Sequence, residues 1–153
     1  MAASRKISVI LFADIVGYTA MMQEDETKGL ETITSFRKTL KETTPQHEGQ
    51  IIQYFGDGCL LAFSQATDAV ACAKALQDTF HNQTSVPVRI GMHIGEVLFR
   101  NNNVFGDAVN LASRVESLGV PGAVLISGEV YEEIRNEEGF SWESLGDFEL
   151  KNV

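Results

Sequence analysis

The order of hydrophobic patterns predicts an α+β fold: a ferredoxin-like βαββαβ core with a C-terminal extension, and an antiparallel sheet with helices packed on one face. The first observation is residues 7–13, a nearly unbroken apolar run typical of a buried strand. The second is an Asp-Gly pair at 57–58 between two short β-type runs, which indicates a tight hairpin. The third is that strand-type and helix-type patterns alternate in the ferredoxin-like order.

Residues 26–43 follow the first strand and are predicted to form a helix, because Leu30, Ile33, Phe36 and Leu40 recur at three- and four-residue steps. The remaining predicted elements are, in order, strands 50–55 and 59–63, helix 66–80, strand 86–99, helix 109–118, strand 123–126, a short helix from Ser127 and a final β segment 140–150.

The size of the chain indicates a single domain. With 153 residues, of which 44% are hydrophobic, it can bury one substantial core. We therefore expect one domain over residues 1–153. Because Val153 directly follows a strand-like pattern, we also expect the last strand to be cut short and a C-terminal regulatory domain to be absent here.

Charge and cysteine content narrow the function classes. A formal net charge of −9 without a basic stripe argues against nucleic acid as a partner. No apolar stretch reaches the roughly 20 residues that span a bilayer, so we expect no membrane segment. Cys59 and Cys72 lack metal-ligand spacing and are predicted to be free buried thiols, which favours a cytoplasmic location.

Two aspartates are the strongest candidates for chemistry. Asp14 ends the first strand and Asp57 lies at the hairpin tip, and the ferredoxin-like order can bring the two together. Adjacent carboxylates repel unless they share a cation, and hard oxygen ligands suit Mg²⁺ or Mn²⁺. The alternative is that Asp57 is an ordinary turn residue and Asp14 an N-cap, and spacing alone leaves both interpretations open.

The segment after Asp14 is a glycine-containing turn into a predicted helix. Free backbone N–H groups at such a turn favour a phosphate, so Gly17, Tyr18 and Thr19 are candidate phosphate-binding residues. The motif is weak by itself and gains weight from the neighbouring candidate metal site.

Asn110 and Arg114 share a face of the predicted helix 109–118, whose apolar stripe is predicted to be Leu111, Val115 and Leu118. An amide one turn from a guanidinium suits a sugar oxygen and a phosphate. The alternative is a solvated helix face with one arginine.

Three more polar residues have simple interpretations. Asp107 is predicted to be the N-cap of that helix. Arg89 is either a phosphate clamp or an exposed charge, and His93 is predicted to be a packed strand histidine rather than a base.

Five segments together resemble the catalytic domain of class III nucleotidyl cyclases of the bacterial type, which include adenylyl and guanylyl cyclases. They occur in the family's order and cover nearly the whole chain: FADIVGYT, YFGDGCLLAF, VRIGMHIGEV, VFGDAVNLASRVES and LGDFELKN. The resemblance implies an enzyme that converts ATP to cyclic AMP and pyrophosphate. It also implies two divalent cations, Mg²⁺ or Mn²⁺, as cofactors.

The resemblance assigns roles position by position. It makes Asp14, Asp57 and the Ile15 carbonyl the metal ligands, and it makes Arg89 and Lys151 the residues that bind the β- and γ-phosphates. The ribose-orienting asparagine and the transition-state arginine of the family match Asn110 and Arg114. Because family sites lie between two catalytic domains and this chain carries both halves, a head-to-tail homodimer with two equivalent sites is implied.

The purine-recognition positions depart from the family pattern. Adenylyl cyclases usually use Lys and Asp there and many guanylyl cyclases Glu and Cys, whereas this chain has Gln53 and Asn103. Either amide can donate or accept after a flip, so we predict ATP as substrate with weak discrimination against GTP.

Other functions stay open from the sequence. They are a guanylyl cyclase, a catalytically silent nucleotide-binding module that dimerises, a diguanylate cyclase and a simple interaction domain. The silent module would lack a metal aspartate, the Asn or the Arg, and all four are present. The motif FGDG is a poor match to the GG[DE]EF hairpin of diguanylate cyclases.

Overall fold

The computed structural model describes residues 3–146, and these residues form an α+β domain that confirms the predicted fold class. The elements in chain order are β1 (Ser4–Ile15), α1 (Tyr18–Glu24), α2 (Glu26–Thr43), β2 (Gly49–Phe55), β3 (Gly58–Phe63), α3 (Ala66–Thr79), β4 (Val88–Arg100), β5 (Asn103–Phe105), α4 (Asp107–Ser117), β6 (Val124–Ile126) and α5 (Gly128–Ile134). The helix predicted over 26–43 matches α2.

The six strands form one sheet. Five of them follow the order β2-β3-β1-β4-β5 with antiparallel neighbours, and β6 pairs in parallel with β4. The central strand β1 pairs with β3 on one side and β4 on the other. Asp14, near the end of β1, is opposite Gly58 of β3 and Arg89 of β4. The sheet therefore places the end of β1 between the hairpin tip and the start of β4.

Helices lie on both faces of this sheet. The main core includes residues of α2, α3 and α5, whereas Ala108 and Ala112 of α4 pack in a second cluster on the opposite face. The expectation that all helices share one face is therefore wrong for α4. Gly91 and Gly95 of β4 lie under α4 and leave the space in which its backbone and small side chains fit.

Two hairpins of the sheet have two-residue turns. Phe55 pairs with Gly58, so the first turn consists of Gly56 and Asp57 and is one residue shorter than the predicted connection Gly56-Asp57-Gly58. In the second hairpin, β5, which the sequence did not predict, pairs with β4. Its turn residues Asn101 and Asn102 have φ of 52° and 62°, as a type I′ turn requires of both central positions.

The structure also tests the predictions for the cysteines, the helix caps and the last β segment. The free, buried state of Cys59 and Cys72 is confirmed, and Ser127 caps α5 by accepting from the Val130 N–H. Asp107 is not an N-cap, because it is the first residue of α4 and Gly106 occupies the cap. No strand forms over 140–146, and the rest of the predicted β segment lies outside the described residues. Within residues 3–146, no helix has the length and apolarity needed to cross a membrane.

Candidate active site

Asp14 and Asp57 lie together at one end of the central strand. Asp14 is the penultimate residue of β1, and the Ile15 N–H donates to the Asp57 carbonyl at 3.0 Å. This backbone bond docks the turn carrying Asp57 against the end of β1. The predicted convergence of the two carboxylates is therefore a feature of the fold, and Asp14 is not a helix cap, because Gly17 occupies the cap position of α1.

The negative charge of Asp14 and Asp57 is only partly offset by the neighbouring Arg89. The Asp14 side chain is 21% exposed, and Arg89 Nη2 donates to its Oδ2 at 3.3 Å. Burial and the neighbouring Asp57 carboxylate nevertheless raise the pKa of Asp14, with Arg89 acting in the opposite direction. A site of this kind favours the arrival of further cations.

The donor set fits divalent cations that also bind a substrate. Within residues 3–146, no three His, Cys, Asp or Glu side chains are grouped so as to hold a metal ion alone. Two neighbouring carboxylates that repel each other suit Mg²⁺ or Mn²⁺, which complete their coordination with water and phosphate oxygens. The residues present therefore fit cations that arrive together with a phosphorylated ligand.

Arg89 contacts a second carboxylate that the sequence analysis missed. Its Nε lies 3.3 Å from Oε2 of Glu116, on α4, whose side chain is only 9% exposed. The two atoms are not aligned as a hydrogen bond, so both lack a hydrogen-bond partner although they form an ion pair. Burial, reinforced by the charges of Asp14 and Asp57 and opposed by Arg89, raises the pKa of Glu116 to about 7.

Arg37 is the other residue that sequence reasoning missed. From α2 its guanidinium lies 4.8 Å from the centre of the Tyr54 ring, and its Nη2 donates to the Gly56 carbonyl at 3.4 Å. These contacts tie the turn carrying Asp57 to α2. An exposed arginine on a helix gives no sequence signal for such a role.

The turn after Asp14 has the backbone shape expected of it. Gly17 has φ of 75°, in the left-handed region that glycine adopts without strain, and α1 begins at the next residue. Tyr18 packs its side chain against the main core, whereas Thr19 is exposed. Any phosphate contact by Tyr18 would therefore come from its backbone.

The structure does not bring Asn110 and Arg114 to the aspartates of the same chain. Helix α4 buries Ala108, Ala112, Val115 and Glu116, and leaves Asn110 exposed. At about 100° per residue, Asn110 and Arg114 lie about 40° apart around the axis, on the side roughly opposite Glu116. Because Glu116 faces Arg89, the Asn/Arg side is turned away from the cluster of aspartates.

The predicted apolar stripe of α4 is wrong in part. Leu118 is 42% exposed and Leu111 only half-buried, whereas alanines fill the contact with the sheet. The glycines on β4 explain this difference, because they bring the helix too close for leucine.

The two candidate purine residues lie on different edges of a curled sheet. Gln53 follows a β-bulge in β2 and is exposed, and β5, which begins at Asn103, lies against β2. Asn103 Oδ1 accepts from the Val104 N–H at 2.8 Å, so its Nδ2 is left as a donor. A surface cavity of about 410 Å³ adjoins it, lined by Leu98, Arg100, Asn101, Asn103 and Phe105.

Two further residues complete the comparison with the sequence. His93 is buried with Nδ1 2.8 Å from Ser127 Oγ, and burial lowers its pKa, which agrees with a packed histidine. Lys151 lies outside the described residues.

Proteins with similar sequences carry cyclase descriptions. The chain matches the family described as adenylate and guanylate cyclase catalytic domain over residues 1–152. Putative adenylate cyclase 3 of Rhizobium meliloti (strain 1021) is 32% identical over 158 residues, which cover 97% of this chain and 27% of that protein. An adenylate cyclase of Streptomyces coelicolor is 34% identical over 125 residues, covering 80% of this chain and 33% of that protein. This chain thus spans only about a quarter to a third of the length of these relatives.

Solved structures give the same picture. An adenylate/guanylate cyclase/hydrolase from Silicibacter pomeroyi superimposes with a TM-score of 0.91 at 32% identity, covering 99% of this chain and 93% of that one. The adenylyl cyclase CyaB from P. aeruginosa shares the fold, with a TM-score of 0.82 at 23% identity over 100% of this chain and 91% of that one. The likeness therefore extends over both the aspartate cluster and helix α4.

Proposed function

This chain belongs to the family of adenylate and guanylate cyclase catalytic domains, and from that premise we propose that it converts ATP to 3′,5′-cyclic AMP and pyrophosphate. The observation that carries the proposal is the meeting of Asp14, Asp57 and Arg89 at the end of β1. Two acids and one guanidinium at this point match what a metal-bound triphosphate requires. We place the reaction in the cytoplasm, where the nucleotide substrate is found.

In the proposed reaction the chain positions and stabilises, and the bond changes take place within the nucleotide. The ribose 3′-hydroxyl releases its proton to water, and its oxygen attacks the α-phosphorus in line. A new O–P bond forms, the bond to the bridging α–β oxygen breaks, and pyrophosphate leaves. Asp14, Asp57 and the Ile15 carbonyl would hold two divalent cations. When bound, these supply activation of the 3′-hydroxyl and neutralisation of the triphosphate.

The remaining residues would act on the nucleotide directly. Arg89 and Lys151 would bind the β- and γ-phosphates, with the backbone of residues 17–19 beside them. Asn110 would orient the ribose, and Arg114 would stabilise the charge that gathers on the α-phosphate in the transition state. Gln53 and Asn103 would bind the purine through uncharged amides, which favours ATP with weak rejection of GTP.

The orientation of α4 supports a site shared by two copies of this chain. Asn110 and Arg114 face away from the aspartates of their own chain, so a second copy in head-to-tail arrangement would supply them. Large apolar side chains on β2 and on either side of α4 also remain exposed and are available to such an interface: Phe55, Phe105, Leu118 and Val120. A homodimer with two equivalent sites accounts for both features.

The test is product formation from ATP and from GTP with Mn²⁺ and with Mg²⁺ at several protein concentrations. We expect metal-dependent cyclic AMP, a specific activity that rises with protein concentration, and no product from D57A. Faster formation of cyclic GMP would make the chain a guanylyl cyclase. No product at high concentration with Mn²⁺ would favour a silent nucleotide-binding module.

Mixing two inactive variants tests the shared site directly. D57A removes the metal half and R114A removes the transition-state half, so a mixed dimer would contain one intact site. With random mixing, half of the dimers are mixed and each has one of two sites, so about one quarter of wild-type activity should return. A mixture as inactive as its components would contradict the shared site.

A further inference from the structure

Arg89 joins two carboxylates that come from different elements and have different roles. Its Nη2 contacts Asp14, a proposed metal ligand, and its Nε contacts Glu116 on α4, each at 3.3 Å. The Arg89 side chain is 32% exposed, whereas Glu116 is buried. One guanidinium is therefore held at its inner nitrogen by a buried acid and at its tip by an acid of the site.

Burial of Glu116 needs a reason. A buried carboxylate is destabilising unless a partner compensates its charge, and the cation paired with Glu116 among the described residues is Arg89. Its Oε2 has no hydrogen-bond partner, so packing and hydrogen bonding do not account for an acid at this position. The ion pair with Arg89 therefore accounts for a buried glutamate at position 116.

The anchor point is rigid. A Cβ built on Gly91 would lie 2.3 Å from both N and Cα of Glu116, so the helix backbone at Glu116 rests directly on β4. Arg89 lies two residues before Gly91 on the same face of the same strand. The acid and the arginine are thus fixed relative to each other by backbone contact.

We propose that Glu116 is a positioning residue for Arg89, an inference that rests on the proposed function. When the oxygens of Asp14 turn to a cation, the tip of Arg89 is released and needs a new anion, which the triphosphate provides. Glu116 keeps hold of Nε and directs the two terminal nitrogens towards the phosphates. Without Glu116, the Arg89 guanidinium moves closer to Asp14 and Asp57. There it competes with the cations for the carboxylates and no longer contacts the phosphates.

The experiment is a double-mutant cycle of binding that requires no turnover. Isothermal calorimetry measures Mn²⁺ alone, and then 3′-deoxyATP in the presence of Mn²⁺, because this nucleotide lacks the attacking hydroxyl. The proteins are wild type, E116Q, R89A and the double variant, with E132Q removing a glutamate charge from an exposed surface as the matched control. D57N reports whether Mn²⁺ binds at the proposed metal site.

We expect E116Q to weaken 3′-deoxyATP binding roughly 3- to 30-fold and to have no further effect once Arg89 is alanine, as two residues acting as a unit require. In turnover, E116Q should raise KM more than it lowers kcat. The variant E116D, which keeps the charge and shortens the reach, should lie between wild type and E116Q and replaces E116Q in the cycle if that variant does not fold.

Two outcomes overturn the inference while the proposed function stands. They are unchanged binding to E116Q, and an equal loss in the presence and absence of Arg89. If Mn²⁺ does not strengthen binding of 3′-deoxyATP to wild type, or D57N binds Mn²⁺ and 3′-deoxyATP as tightly as wild type does, the proposed function fails and this inference fails with it.

Discussion

Gly91 of β4 lies directly beneath the backbone of Glu116, so close that a Cβ atom at Gly91 would be 2.3 Å from both N and Cα of Glu116. No flexible side chain can move aside to make room, because the opposing atoms belong to a helix backbone. G91A should therefore lower the free energy of unfolding by roughly 1–3 kcal/mol, the usual range for overpacking. Because α4 also carries Asn110 and Arg114, cyclase activity should fall too.

The matched control for this prediction is G128A. Gly128 is the first residue of α5, and a Cβ there would meet nothing within 4 Å. Urea denaturation should show G128A at or slightly above wild type, since alanine reduces the entropy of the unfolded chain. An unfolding midpoint of G91A equal to that of G128A would show that α4 can shift without strain.

Repulsion between Asp14 and Asp57, the proposed metal ligands, should lower the stability of the cation-free protein. Burial raises the pKa of Asp14 most, and the Asp57 carboxylate raises it further, which shows that the two carboxylates repel each other. D57N should therefore unfold at a higher temperature than wild type in EDTA. With Mn²⁺, wild type should unfold at a higher temperature than D57N. A free Mn²⁺ concentration of 100 times Kd stabilises a protein that binds it by about 2.7 kcal/mol, and only wild type should bind it at this site.

The control for D57N removes a charge elsewhere. Asp78 is exposed on α3, and D78N should respond to Mn²⁺ as wild type does. Equal stabilisation of wild type and D57N by Mn²⁺ would place the cation somewhere other than at Asp57.

The sequence was sufficient to predict the order of the longer strands and helices, because long elements repeat their pattern several times. Strand β5 has only three residues, too few for a periodic signal, and its turn at Asn101 and Asn102 has no glycine to mark it. The convergence of Asp14 and Asp57 was predictable, since the ferredoxin-like order makes the end of β1 a neighbour of the hairpin tip.

Packing across the sheet was not predictable in the same way. Leu30 and Leu118 fit helical stripes but are 50% and 42% exposed, because the side that a helix buries depends on what lies opposite. A signal for Glu116 did exist: it follows Ala108 and Ala112 at four-residue steps, which puts an acid on the buried stripe. Its partner Arg89 could not be found without the structure, because the pairing depends on how closely α4 approaches β4.

His93 should make stability depend on pH. Burial lowers the pKa of His93, with Glu129 acting in the opposite direction, so the unfolded chain takes up a proton more readily. Neutral His93 therefore stabilises the folded state fully above about pH 6.5, the usual pKa of histidine. This stabilisation is lost as the pH falls through the lower pKa that His93 has in the folded state. Wild type should therefore lose stability relative to H93Q between pH 7.5 and pH 5.

Comparing wild type with H93Q separates the effect of His93 on the pH dependence of stability from the effect of Glu116. Because the pKa of Glu116 is raised to about 7, its contribution falls as the pH rises, but it is present in both proteins and cancels. H81Q, at an exposed histidine, should follow wild type. Parallel curves for wild type and H93Q in urea denaturation would contradict the prediction.

Arg114 should act in the transition state more than in binding. R114A is expected to lower kcat by roughly 10²- to 10³-fold with a smaller change in KM, the scale of a lost preorganised donor. R114K keeps the charge but loses the planar fork and should recover only part of the rate. Steady-state kinetics with ATP and Mn²⁺ distinguish a transition-state role of Arg114 from a binding role. In a binding role, R114A would raise KM while kcat stayed constant.

The amide pair at Gln53 and Asn103 should limit discrimination between purines. Adenine presents an acceptor at N1 and a donor at N6, whereas guanine presents the reverse at N1 and O6, and a flexible amide suits either. Replacing both with Lys and Asp, as Q53K/N103D, fixes one donor and one acceptor. The ratio of kcat/KM for ATP over GTP should then rise about 10-fold, measured against each single variant. An unchanged ratio would mean that the purine is read by other residues, for which the cavity beside Asn103 is the first place to test.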